Sequence, residues 1–78
     1  MTQLFLHMRH GNEFVRDPDG AYYTYLEDAR REAKGAALEI MSNRVRQGQP
    51  PNDSSFEITD KAGDVVSVYP FHEAIEEG

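Results

Sequence analysis

The sequence predicts one small α+β domain, in which a single long helix packs on one face of a four-stranded antiparallel sheet. The chain has 78 residues, which is enough for one hydrophobic core. Apolar and polar residues alternate in residues 3–9, 55–59 and 65–69, and this is the period of half-buried strands. In residues 25–47, small and apolar residues recur every three or four positions, which is the period of an amphipathic helix. The predicted order is β-β-α-β-β within a single domain, residues 1–78.

The first part of the chain predicts a hairpin. Residues 3–9 form its first strand, residues 10–12 (His-Gly-Asn) supply the turn, and residues 13–16 return as its second strand. A second turn is predicted at residues 17–20 (Asp-Pro-Asp-Gly), since proline presets φ and glycine tolerates a positive φ. Residues 21–23 then lead, in an extended conformation, towards the helix.

The helix is predicted from Tyr25 to Gln47. Thr24 and Glu27 have the spacing of a capping box at its start. Gly48 can close its carboxyl end, and the prolines at positions 50 and 51 prevent its continuation. The face predicted to pack on the sheet comprises Leu26, Ala29, Ala33, Ala36, Ala37, Ile40 and Met41.

The last part of the chain predicts a second hairpin and a short helical turn. Residues 55–59 and 65–69 form the strands, and Asp60 to Gly63 forms the turn between them. Pro70 ends the last strand, and residues 71–75 form a helical turn whose Phe71 and Ile75 cover the sheet edge. The sheet residues predicted to face the helix are Leu4, Leu6 and Met8 of the first hairpin and Phe56, Ile58, Val66 and Val68 of the second.

Charge and composition exclude several classes of function. The net charge is −6, and residues 47–78 carry one basic and seven acidic side chains. Such a surface disfavours direct nucleic-acid binding and suits a basic protein partner, or serves solubility alone. The sequence has no cysteine, no signal-like start and no apolar run near the roughly 18 to 20 residues of a membrane span. These features predict a cytoplasmic protein without a membrane partner.

The predicted sheet has two faces, and a single helix can cover only one of them. If one face packs on the helix, the other face displays aromatic and aliphatic residues among polar ones, which is typical of an interaction surface. This hypothesis predicts self-association, or binding of another protein. The candidate interaction face comprises Phe5, His7, Arg9, Val65, Ser67 and Tyr69.

Candidate reactive groups are sparse. His7, His10 and Glu13 have a spacing of three, but residues three apart on a strand point to opposite faces, and His72 joins them only if the tail folds back. The aspartates lie in turns that favour aspartate for backbone reasons. The serines lack a nucleophile-elbow context, and the glycines lack phosphate-loop spacing. The sequence therefore predicts no catalytic, cofactor or metal site, and a protein that is not an enzyme.

Several short motifs resemble a family of short bacterial proteins of unknown function. They are residues 5–11 (Phe-Leu-His-Met-Arg-His-Gly), residues 17–20, residues 26–29 (Leu-Glu-Asp-Ala), the turn at residues 59–63 and Pro70-Phe71. The resemblance implies the fold and a bacterial origin, and it carries over no activity. A weaker resemblance, in the Asp-Pro-Asp-Gly turn at residues 17–20 and in the helix start, is to HicB-type antitoxins.

Taken together, the residues predict a non-enzymatic interaction module that acts as a homodimer. The homodimer would form through the uncovered sheet face or through a sheet edge. The alternative, implied by the second resemblance, is an antitoxin-like partial fold that binds a small basic protein.

Overall fold

The computed structural model describes residues 1–51 and 53–76. The described residues form five strands and two helices, which are β1 (Thr2–His10), β2 (Glu13–Val15), β3 (Ala21–Tyr23), α1 (Leu26–Arg46), β4 (Ser54–Thr59), β5 (Val65–Pro70) and α2 (Phe71–Glu76). This confirms the predicted α+β class and the predicted layout. The sheet contains one strand more than predicted, because the extended segment before the helix pairs as β3.

Strand β1 is the centre of the sheet. The order is β2-β1-β4-β5, and every pairing is antiparallel. One edge of β1 pairs with β4 from Phe5 to His10. Its other edge pairs first with β3 at residues 2–4 and then with β2 at residues 8–10. The two predicted hairpins, β1–β2 and β4–β5, are therefore both present.

Helix α1 packs on the sheet through a stripe of small residues. Ala29, Ala33, Ala37 and Met41 are spaced by four and are all buried. Alanine at these positions lets the helix backbone lie close to the strands. The core has two clusters, one around Ala33, Ala37 and Met41 and one around Ala29, and Leu6 on β1 packs against both.

The carboxyl end of α1 is as predicted, but the amino end is not. Gly48 has φ +74°; its N–H donates to the Val45 carbonyl and the next residue's N–H donates to the Arg44 carbonyl, a Schellman closure. The prediction of a capping box formed by Thr24 and Glu27 is wrong, since Tyr25 is the N-cap and no described side chain caps this end. Strand β3 continues to Tyr23, so Thr24 lies one position before the N-cap and cannot act as the cap itself.

The face assignment of β5 is also corrected by the structure. Ser67 lies opposite Ile58 and Tyr69 lies opposite Phe56, so Ser67 and Tyr69 face α1. Tyr69 is 1% exposed, whereas Val68 is 48% exposed. The register shifts because Thr59 lies opposite Val65, which makes Val66 an extra residue in a β-bulge. The prediction that Val68 faces the helix is therefore wrong, whereas Val66, the extra residue of the bulge, lies beside Leu4 and Leu26 at the amino end of α1 and is 44% exposed.

Helix α2 completes the core after Pro70. Phe71 is fully buried, with its ring centroid 5.2 Å from that of Phe56, and the Arg44 guanidinium carbon lies 5.3 Å from its ring centroid. The predicted role of Phe71 in covering the sheet is supported by this packing. The prediction that Ile75 also covers the sheet edge is wrong, since Ile75 is 58% exposed and the buried residues of α2 are Phe71 and Ala74.

The close approach of α1 to the sheet predicts opposite effects of two helix substitutions. Ala33→Leu adds side-chain volume at a fully buried position and should lower the free energy of unfolding by about 1 to 3 kcal/mol. Gly35→Ala, where an added Cβ meets open space, should raise it by up to about 1 kcal/mol. Urea unfolding followed by circular dichroism measures both. Equal effects of the two variants would contradict the close packing.

Candidate functional site

The face of the sheet opposite α1 is the candidate functional site. It carries the alternate residues of β1 and the residues paired beside them. Phe5, His7, Arg9 and Val65 of the predicted interaction face lie here, because Phe5 pairs with Thr59 and Thr59 pairs with Val65. We call this surface the sheet-face patch, and it comprises Phe5, His7, Arg9, Phe14, Glu57, Val65 and Val68.

Two members of the predicted interaction face do not belong to it. The Ser67 hydroxyl accepts a hydrogen bond from Arg30 of α1 at 2.6 Å. Tyr69 is buried on the same side, with the Arg30 guanidinium carbon 5.0 Å from its ring centroid. Phe14 and Val68 were missed. A two-residue turn at residues 11 and 12 would have placed Phe14 opposite Arg9, whereas the bulge that exposes Val68 has no local sequence signal.

A row of rings runs along the patch. The Phe5 and His7 rings are stacked at 11° with centroids 6.0 Å apart, and the His7 and Phe14 centroids are 5.4 Å apart. The Arg9 guanidinium carbon lies 4.7 Å from the Phe14 centroid, and Arg9 also pairs with Glu57 at 2.6 Å. Each contact is modest at a solvated surface, but together they hold these side chains as one surface.

The Asp17 carboxylate closes a gap in the edge of β1. Between the segments paired with β3 and β2, the Leu6 N–H donates to Asp17 Oδ2 at 3.2 Å. The Asp17 N–H in turn donates to His7 Nδ1 at 2.9 Å, so Nδ1 is unprotonated and the neutral ring carries its proton on Nε2. This approach of the turn to β1 requires glycine at position 20, because its φ is +63° and a Cβ there would lie only 2.8 Å from the Leu4 carbonyl oxygen.

The hydrogen bonds to Asp17 set its ionisation. Partial burial acts to raise the pKa of this carboxyl, but backbone N–H groups of Gly20, Leu6 and Asp19 donate to it, and His7 lies nearby. These donors outweigh the burial and lower the pKa of Asp17 from its ordinary value of 3.8. The carboxylate is therefore ionised whenever the edge of β1 is closed at neutral pH.

The outer edge of β5 is guarded against pairing with another strand. The Arg30 guanidinium donates to the Val68 carbonyl oxygen at 3.3 Å and to Glu73 of α2 at 3.0 Å. Pro70, at the end of the same strand, has no N–H to donate. A charged side chain and a proline on an edge strand both oppose edge-to-edge association. This arrangement favours the sheet face over the β5 edge as an interaction surface.

The histidines that could have formed a metal site are held apart by other bonds. His10 Nδ1 lies 2.7 Å from Ser54 Oγ and 3.0 Å from the Asp53 carbonyl oxygen, whereas His7 is bound to the Asp17 turn. Over residues 1–51 and 53–76, no group of three or more histidine, aspartate or glutamate side chains is placed to hold a metal ion.

The fold and the patch define a class of protein: a two-layer α+β domain with one sheet face left open. The chain belongs to the family described as Domain of unknown function (DUF6894), whose model matches residues 3–72. Comparison with curated proteins and with solved structures gives no match. Neither helix in the described part of the chain combines the length and the apolar character needed to span a membrane.

The gap closure predicts that Asp17 stabilises the fold in a pH-dependent way. Asp17→Asn replaces one acceptor oxygen by a donor and should lower the free energy of unfolding by about 1 to 2 kcal/mol at pH 7. Because the folded-state pKa lies below 3.8, wild-type stability should fall as the pH drops below about 3.8, until the two proteins converge. Asp19→Asn is the control, and an equal loss there would contradict the assignment. Urea titrations across this pH range provide the measurement.

The guarded edge predicts a specific effect of removing Arg30. Arg30→Ala leaves the Glu73 carboxylate and the Val68 carbonyl without this donor, and it should destabilise the fold by about 1 to 3 kcal/mol. It should also speed aggregation, because the β5 edge becomes accessible to other strands. Arg31→Ala removes the same charge from a side chain that is 77% exposed, and should do neither. Chemical unfolding and light scattering test the pair, and indistinguishable variants would contradict the edge-guard role.

Proposed function

We propose that this chain is a non-enzymatic protein-interaction module that forms a homodimer through the sheet-face patch. The observation that carries the proposal is the exposure of Phe14 and Val68, at 42% and 48%, on the side of the sheet opposite α1. The Phe14 ring lies beside the His7 ring, and Val68 is paired with Glu57, which is in turn paired with His7. Apolar residues grouped on one face and bordered by charges are typical of interfaces.

The dimensions of the molecule suit such an interface. A standard interface buries about 800 Å² on each partner, which is roughly one sixth of the 5124 Å² accessible surface of this chain. The molecule measures 38 × 27 × 16 Å, so the area of each broad face of the two-layer structure is larger than the area that one partner buries in a standard interface. A small domain also gains stability from shared buried surface, since its own core is thin.

The charges on the patch favour a second copy as the partner. Arg9 and Glu57 lie side by side near the middle of the patch. In a twofold interface, each residue meets the complementary position of the other copy, so a surface carrying one cation and one anion is complementary to itself. Arg9 of one copy can thus approach Glu57 of the other without leaving a buried charge unpaired.

The polar groups on this face support a structural role over a catalytic one. His7 Nδ1 accepts a hydrogen bond from the Asp17 N–H, and the Asp17 carboxylate accepts backbone N–H groups on both of its oxygens. A general base needs a lone pair that can reach a substrate proton. The lone pairs of the His7 Nδ1 and of the Asp17 carboxylate already serve the closure of the sheet.

Measurement of solution mass tests the homodimer. Sedimentation equilibrium at high micromolar concentration should give twice the chain mass for the wild type and the chain mass for Val68→Asp or Phe14→Asp. A buried carboxylate without a partner opposes association strongly. Leu38→Asp, on the exposed face of α1, is the matched control and should remain dimeric. Tyr69→Asp is unsuitable because Tyr69 is part of the core.

Two results would overturn this function. One is a wild-type chain that is monomeric throughout the concentration range. The other is a Leu38→Asp variant that dissociates as readily as Val68→Asp while both remain folded by circular dichroism. The antitoxin-like alternative predicts the first result, together with a stoichiometric complex between the monomer and a small basic protein.

A further inference from the structure

A small cavity lies at one end of the uncovered sheet face, between two turns. The turn of Asp17 to Gly20 forms one wall and the turn of Asp60 to Gly63 forms the other, and the cavity volume is about 120 Å³. Side chains from three parts of the chain line it, including His7, Arg16, Thr59 and Lys61. Phe5 is the apolar residue of the sheet-face patch that takes part in the lining, and Phe14, Val65 and Val68 do not.

The lining contains hydrogen-bond donors that lack acceptors. Neither Arg16 nor Lys61 forms an ion pair or hydrogen bond with any described residue. His7 uses Nδ1 to accept the Asp17 N–H, so its ring N–H is on Nε2. The cavity thus brings together a guanidinium, an ammonium and an imidazole N–H.

Thr59 provides an independent sign of an unfilled site. Its side chain is 5% exposed, and its hydroxyl makes no hydrogen bond among the described residues. Buried hydroxyl groups in folded proteins nearly always have a partner, because leaving one unpaired costs about 1 to 3 kcal/mol. The Thr59 hydroxyl lies directly behind the lining and is enclosed by protein atoms, so an oxygen atom in the cavity would pair with it only after a small shift of the surrounding side chains.

The acidic residues in the lining do not compensate these donors. Asp17 accepts backbone N–H groups on both carboxylate oxygens, and Asp60 Oδ1 accepts the N–H of Asp64. Their charges are partly balanced by these backbone dipoles, and neither forms an ion pair with Arg16 or Lys61. Asp60 Oδ2 accepts no hydrogen bond from the described residues, so the lining holds this acceptor oxygen beside the three free donors.

We propose that this cavity binds a small oxyanion through Arg16, Lys61 and His7, with Thr59 at its floor. The shared chemistry is that of a carboxylate or a phosphate group, both of which accept several charge-assisted hydrogen bonds. The volume of about 120 Å³ admits a group of this size. Phe5 and His7 belong both to this lining and to the sheet-face patch, whereas Val68 and Phe14 lie outside the lining, so a monomeric Val68→Asp variant keeps every residue of the site.

Titration of the whole chain with inorganic phosphate, and separately with acetate, tests the site. At constant ionic strength maintained with sodium chloride, amide NMR signals of residues 16–20 and 60–64 should shift saturably. Saturation with phosphate alone assigns a phosphate group, and saturation with acetate assigns a carboxylate. Arg16→Ala and Lys61→Ala should each weaken binding about tenfold, because each removes a charged donor.

Two matched controls separate this site from other effects. Lys34→Ala removes a cation from α1 and should leave the affinity unchanged. Val68→Asp should also retain binding, which distinguishes loss of the site from loss of the proposed dimer. Shifts that rise linearly with both anions, or an affinity that Lys34→Ala lowers as much as Lys61→Ala, would overturn the proposal.

Discussion

The position of β1 between three other strands is the constraint on which the rest of the structure depends. β4 pairs with one edge, and β3, the Asp17 carboxylate and β2 follow one another along the other edge. Leu4, Leu6 and Met8 consequently face α1, while Phe5, His7 and Arg9 face away from it. Core and patch are two sides of one strand, so a register slip of one residue would exchange them.

Local signals were sufficient for most of the architecture. The alanines spaced by four predicted both the helix and the face that it buries, since this spacing returns to the same side of a helix. The glycines at positions 20, 48 and 63 predicted where the chain turns, and all three have a positive φ. Three of the six predicted interaction residues, Phe5, His7 and Arg9, share a face because strand alternation in β1 is regular. Val65 joins them through the pairing of Thr59 with both Phe5 and Val65.

The errors arose where distant parts of the chain decide the outcome. In β5, Val66 and Val68 are both apolar, whereas the alternate set of Val65, Ser67 and Tyr69 contains a serine, so periodicity alone favours the wrong orientation for Val68 and Tyr69. The choice depends on the bulge opposite Thr59 and on the pairing of Tyr69 with Phe56. The role of Asp17 was hidden for a similar reason: its turn explains an aspartate locally, whereas the Leu6 N–H that it binds is eleven residues away.

Strand β2 consists of three exposed residues, and its attachment to the molecule is the ladder to β1 together with the contacts of the Phe14 ring. Segments that bury few apolar side chains open at a small fraction of the global unfolding free energy. The tip of the first hairpin is therefore the part of the sheet that frays most readily. A molecule that binds at Phe14 must also immobilise this hairpin tip, which costs conformational entropy. The association is therefore weaker and more readily reversible than its contact area implies.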